Sequence, residues 1–186
     1  RDTDRSRGLG DVYKRQGYNG NDTLYGNDGD DILNGGNDND ILIGGVGNDE
    51  LKGDSGNDTY VYNLGDGFDT ITDTGGNDKI KFGEGINQND LSFKTEGQNL
   101  KILINNNETA GIQISSQLQG GSKVVETIEF HDGSTLDITN ADQLIQAMNS
   151  FGAETSSAME TLSDAVENVS DMYSLADNSD LTGKAA

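Results

Sequence analysis

Five consecutive nine-residue units between Gly17 and Val61 read GYNGNDTLY, GNDGDDILN, GGNDNDILI, GGVGNDELK and GDSGNDTYV. Asp22, Asp31, Asp40, Asp49 and Asp58 recur nine residues apart at position 6, and Leu24, Leu33, Leu42, Leu51 and Tyr60 follow two residues later. A period this short leaves room for one turn and one strand per unit, so neighbouring units must share a core. Positions 1, 2 and 4 are mostly glycine, the residue that turns sharply and takes φ > 0 without steric cost. Asn27, Asp38 and Asp54 fill other turn positions with the residue types that best tolerate that conformation. Positions 7 to 9 predict a short strand whose central residue faces inward. Two units make one coil, so alternate units stack in one sheet. Leu24, Leu42 and Tyr60 are then expected on one wall of a narrow core, with Leu33 and Leu51 facing them.

Stacking dictates the chemistry. Adjacent strands lie about 4.8 Å apart, which brings the position-6 carboxylates of alternate units together. Like charges that close disfavour joint ionisation. A hard divalent cation reverses the penalty, and Ca²⁺ takes its six to eight ligands from oxygens such as carboxylates and turn carbonyls. The predicted pairs are Asp22 with Asp40 and Asp40 with Asp58 along one edge, and Asp31 with Asp49 along the other. After two extra residues, Tyr62 and Asn63, the frame resumes as LGDGFDTIT and DTGGNDKIK, with Asp69 and Asp78 at position 6 and Ile71 and Ile80 inward. The slip predicts a bulge that interrupts the stack and disturbs the pairs Asp49–Asp69 and Asp58–Asp78.

These units resemble the haemolysin-type calcium-binding repeats of the RTX family, with the pattern GGxGxDxUx. GGVGNDELK is the best copy, and the resemblance runs from residue 17 to about residue 81. It implies that Asp22, Asp31, Asp40, Asp49, Asp58, Asp69 and Asp78 ligate Ca²⁺ together with main-chain carbonyls of turn residues such as Gly20, Gly29, Gly47 and Gly56. Asp38 stands where glycine is usual, so its turn is either strained or supplied with an additional acidic ligand. Tyr18, at position 2 of the first unit, is a second departure.

Composition agrees with a cation-dependent fold. The 186 residues carry 33 acidic and 12 basic groups for a net charge of −21, with 31% hydrophobic and 6% aromatic residues. Such a chain repels nucleic acid and anionic membranes and attracts cations. Low hydrophobicity with high charge predicts disorder unless a ligand compensates. The absence of cysteine excludes disulfides and thiolate sites, and the single histidine, His131, argues against zinc. Residues 1–16 hold five of the basic residues and no trace of the repeat; they resemble translated sequencing adapter and are expected to be disordered.

From Phe82 the glycine-aspartate pattern gives way to alternating apolar residues. Strands are expected over 90–94, 99–104, 110–115, 124–130 and 135–138, separated by Gly97-Gln98, Asn105–Asn107, Gly120-Gly121 and Asp132-Gly133. Residues 82–139 thus form a β-rich segment able to cap the roll. Asn140 can cap a helix over 141–151, and a second amphipathic segment follows over about 155–176. Residues 140–186 read as a helical tail, which either packs or self-associates or, as the resemblance implies, acts as an export signal.

The expected fold is therefore all-β: a parallel β-roll of nonapeptide repeats over 17–81, an antiparallel β cap and C-terminal α-helices. The leading functional expectation is a non-catalytic module of a secreted bacterial protein that folds on Ca²⁺ outside the cell. Type I secretion machinery would be its partner through the C-terminal tail. One alternative is the C-terminal part of a secreted hydrolase or toxin whose catalytic domain lies upstream; another is a structural or adhesive surface protein. No catalytic residues are assigned. His131 with nearby Ser134 has neither a G-x-S-x-G elbow nor an H-E-x-x-H helix around it.

Overall fold

The computed structural model describes residues 13–119, 125–141 and 145. Eight strands build the repeat region: β1 (Lys14–Asn19), β2 (Thr23–Asp28), β3 (Ile32–Asn37), β4 (Ile41–Val46), β5 (Glu50–Ser55), β6 (Thr59–Tyr62), β7 (Phe68–Thr72) and β8 (Lys79–Phe82). They alternate between two sheets. One runs β1-β3-β5-β7 and the other β8-β6-β4-β2, with every neighbouring pair parallel. Leu24 lies opposite Leu42 and Leu42 opposite Tyr60, while Leu33 lies opposite Leu51. All five are at most 2% exposed. The two-walled leucine core is as the register predicts.

The strands are longer than the three residues expected. In β2 to β5 they continue through the glycine at position 1 into the turn, and the inward alternation persists. Inward positions are therefore 6, 8 and 1: an aspartate, an apolar residue and a glycine. The period-2 geometry of a strand imposes this once the leucine is fixed inward. Strand β1 begins three residues before the expected boundary at Gly17. Residues 14–16, assigned to a disordered leader from sequence, pair with β3 and place Arg15 opposite Leu33. Arg15 is 5% exposed and donates from its guanidinium to the Gly26 carbonyl at 3.2 Å.

The two-residue slip does not interrupt the stack. Strand β7 pairs with β5, and β8 with β6, in unbroken parallel register. The surplus is absorbed in the turn after β6, where Asp66 Oδ2 accepts from the Asn63 backbone N–H at 2.6 Å. An even insertion leaves the inward-outward phase unchanged. Tyr62 consequently points inward, 2% exposed, with its ring edge-on to Phe82 at 5.8 Å.

Five more strands follow: β9 (Leu91–Glu96), β10 (Asn99–Ile104), β11 (Asn107–Ile114), β12 (Thr127–Glu129) and β13 (Thr135–Asp137). The hairpins β9-β10, β10-β11 and β12-β13 are antiparallel, as expected of the cap. The junction differs: β11 adds parallel to β7, and β12 adds parallel to β8. The cap thus extends both sheets, and its core of Leu100, Ile102, Ile112, Ile114, Ile128 and Phe130 is continuous with the leucine core. Buried Gln117 joins its parts, donating to the carbonyls of Val125 and Ile138 and accepting from the Val125 N–H. Ala141 and Ile145 are helical and buried. The two helices expected over 141–151 and about 155–176 otherwise lie outside the described residues.

Candidate metal centre

Each position-6 aspartate divides its two carboxylate oxygens between two tasks. From Asp40 onward, Oδ1 accepts from the backbone N–H of the aspartate one coil earlier, and in Asp31 it accepts from the Tyr13 N–H at 2.8 Å. On one edge Asp40 accepts from Asp22 at 2.8 Å, Asp58 from Asp40 at 2.7 Å, and Asp78 from Asp58 at 2.8 Å. On the other edge Asp49 accepts from Asp31 at 2.7 Å and Asp69 from Asp49 at 3.0 Å. The pairs Asp49–Asp69 and Asp58–Asp78, expected to be disturbed by the slip, carry the same bond as the regular pairs. Glu126 continues the first row, accepting from the Asp78 N–H at 2.6 Å.

The second oxygen faces inward. Oδ2 of Asp31, Asp40, Asp49, Asp58, Asp69 and Asp78 is buried with no hydrogen-bond partner. Each of these residues is 1–2% exposed. The space comes from the position-1 glycine of the same unit: a Cβ on Gly35, Gly44 or Gly53 would overlap Oδ2 of Asp40, Asp49 or Asp58. Leaving a charged oxygen buried and unpaired is costly, so a row of them requires either protons or cations.

Electrostatics point the same way. Burial raises the pKa of Asp69 to about 8, of Asp78 to about 7, and of Asp49 and Asp58 to about 6; neighbouring carboxylates add to the rise and the backbone hydrogen bonds only partly offset it. Asp40 is raised for the same leading reason. A metal-free roll at neutral pH therefore holds carboxylates against their preference.

The turns supply main-chain oxygens. The carbonyls of Gly29, Asp38, Gly47 and Gly56 each abut the Cα of the residue one coil later, at Gly47, Gly56, Gly67 and Gly76, where a Cβ would overlap them. Tyr18, Asn27, Asp38 and Asp54 all adopt positive φ, between 70° and 81°, as their glycine-like places require. The Asp38 carboxylate is exposed, and its Oδ2 accepts from the Gly20 N–H at 3.0 Å; it bridges two turns at the surface. At position 5 an asparagine ladder runs in the opposite sense. Asn21, Asn39 and Asn57 side chains accept from the backbone N–H of Asn39, Asn57 and Asn77 one coil later.

Three participants are invisible in the nonapeptide register. Asp66, within the slipped turn, is 6% exposed and raised by burial. Glu126 comes from the cap. Asp73 occupies position 1 of the last unit, where glycine stands in the first five; its departure from the repeat is the one signal that could have found it. Asp58, Asp73 and Asp78 offer carboxylate oxygens within 4.8 Å of one another. By contrast, His131 is exposed beside the β12-β13 turn, and the Ser134 hydroxyl donates to Asp132 at 2.6 Å.

The donor set consists of carboxylates and main-chain carbonyls, which suits Ca²⁺ rather than a softer metal. Comparison with known proteins agrees. A family model described as the RTX calcium-binding nonapeptide repeat (4 copies) matches residues 16–42, 34–68 and 61–88. A second, the haemolysin-type calcium binding protein related domain, matches residues 99–140. A curated relative, the iron-regulated protein FrpA of Neisseria meningitidis serogroup C, is 35% identical over 95 residues, which is 47% of this chain. The chain covers 8% of that relative's length.

Proposed function

The chain belongs to the haemolysin-type calcium-binding RTX repeat proteins, a β-roll module whose ligand is Ca²⁺, and we propose that this module folds when it meets calcium outside the cell. The observation that carries this reading is the pair of rows of buried, unpartnered Oδ2 atoms. Asp22, Asp40, Asp58 and Asp78 on one edge, and Asp31, Asp49 and Asp69 on the other, hold the ions between successive coils. Carbonyls of turn residues, Gly20, Gly29, Asp38, Gly47 and Gly56 among them, complete the coordination. The cation replaces the missing hydrogen-bond donor at Oδ2 of Asp31, Asp40, Asp49, Asp58, Asp69 and Asp78 and neutralises adjacent carboxylates.

Concentration makes this a switch. A site with a dissociation constant of about 100 μM, absent from the unfolded chain, gains about 1.4 kcal/mol at roughly 1 mM Ca²⁺ and almost nothing at submicromolar Ca²⁺. Three to five such sites decide the fate of a domain whose total stability is about 5–15 kcal/mol. The chain stays extended in the cytosol and folds in an extracellular medium, which suits an exported bacterial protein. On this reading the tail over residues 140–186 is what type I secretion machinery receives. The module itself is non-catalytic.

Circular dichroism of the full chain tests the reading. Chelated chain should lack β signal and acquire it cooperatively as Ca²⁺ rises into the millimolar range. A β spectrum indifferent to calcium would refute calcium-driven folding.

A further inference from the structure

We propose that Asp73 joins Asp58 and Asp78 in a cation site with three carboxylates, unlike the two-aspartate sites elsewhere along the roll. This rests on the reading of the repeats as calcium-binding and adds a ligand from outside the position-6 register. Asp58 Oδ1 is taken by the Asp40 N–H and Asp78 Oδ1 by the Asp58 N–H, which leaves one oxygen on each. Those remaining oxygens are buried and unpartnered, in residues 1% exposed. Asp73 is 3% exposed, and its Oδ1 accepts from the backbone N–H groups of Thr74 and Gly75 at 2.6 and 3.0 Å. Its Oδ2 turns inward, where the Tyr60 hydroxyl donates to it.

The convergence has a centre. A Cβ on Gly53 would overlap Asp58 Oδ2 and the Tyr60 hydroxyl and come within 2.6 Å of Asp73 Oδ2, so all three oxygens crowd the space that glycine leaves open. Ca–O bonds of about 2.3–2.6 Å set the oxygens of one ion at most about 5 Å apart. The oxygens of Asp58, Asp73 and Asp78 lie within 4.8 Å of one another, inside that limit, and among the described residues no other trio does so. Tyr60 is a positioning residue: its oxygen accepts from the Gly53 N–H at 2.9 Å, and its proton fixes the Asp73 carboxylate. The site takes a hard, oxygen-seeking divalent or trivalent cation, and three negative charges make it the tightest in the roll.

Europium, which replaces calcium in oxygen sites, has an excitation line whose energy reports total ligand charge. Titrated with Eu³⁺, the unmodified full chain should show one class of site with three carboxylates beside classes with two. Uptake in a single two-carboxylate class overturns this site alone. Uptake of neither europium nor calcium overturns both this site and the module reading beneath it. Calorimetric calcium titrations of Asp73→Asn and Tyr60→Phe then separate ligand from scaffold. Asp73→Asn should weaken the tightest class by about tenfold or more, since ligand charge tunes calcium affinity, while Tyr60→Phe, which leaves every carboxylate in place, should weaken it less. Equal effects of the two substitutions, or no effect of Asp73→Asn, would show that Asp73 serves only to hold Tyr60.

Discussion

At the scale of single residues, the roll works because glycine and aspartate share one inward volume. The position-1 glycine is required by the carboxylate that rests on it more than by its own conformation. Gly44→Ala should therefore displace the Asp49 carboxylate, destabilise the calcium-loaded fold by about 1–3 kcal/mol as overpacking does, and raise the calcium midpoint measured by circular dichroism. Gly97→Ala, in the β9-β10 turn outside the roll, is the control. A Cβ there meets nothing within 4 Å, so the cost is the left-handed backbone alone, about 1–2 kcal/mol, with little change in calcium demand. Protons offer a second test. Asp49 and Asp58 are raised to about 6, Asp78 to about 7 and Asp69 to about 8, whereas an unfolded aspartate titrates near its ordinary value of 3.8. The metal-free fold thus holds protons that the unfolded chain releases. Their contribution is fully present below about pH 4 and is lost as pH rises through 6 to 8. Without metal, the β signal in circular dichroism should be greater at pH 4.5 than at pH 8. Calcium affinity should run the other way, falling as acid competes for the same oxygens. The aspartate register was legible in the sequence. How each carboxylate splits its oxygens was not, because the partner N–H lies a full coil away.

At the scale of elements, the instructive place is the slip after Val61. Spacing alone predicts a broken stack, yet two extra residues preserve the phase of a period-2 strand, and the stack continues. What changes is the occupant: Tyr62 fills an inward position held by glycine in the preceding strands, and the core begins to widen. Phe82 stacks on Phe130 at 6.0 Å as the roll passes into the cap. Alternating apolar residues made the cap strands legible, and β10 falls on its expected residues. The parallel docking of β11 and β12 was not legible, since it depends on pairing across long sequence separations. Gln117 was overlooked for a similar reason: a polar residue near a turn reads as surface. It is 1% exposed and joins Val125 and Ile138. Gln117→Leu keeps the bulk and strands those backbone groups, so urea unfolding of the calcium-saturated chain should show a loss of about 2 kcal/mol or more.

At the scale of the molecule, one chain unites a repeat region short of apolar surface with a cap rich in it. Leucines alternate with aspartates and glycines in the repeat, whereas β10 alone buries Leu100, Ile102, Leu103 and Ile104. Cation binding supplies in the first part what hydrophobic burial supplies in the second. The low-hydrophobicity, high-charge composition is the trace of that division.

The constant spacing of the rungs also has a mechanical meaning. Each aspartate-to-aspartate bond between coils spans 18 or 20 residues. Tension applied at the amino-terminal end would act on the outermost coil alone, because among the described residues no longer bond braces the coils before β6. Each coil that lets go would pay out about 60 Å of extended chain. The roll would yield as a ratchet of small equal steps, each reset when a cation returns, and so would behave as an extensible tether instead of a brittle link.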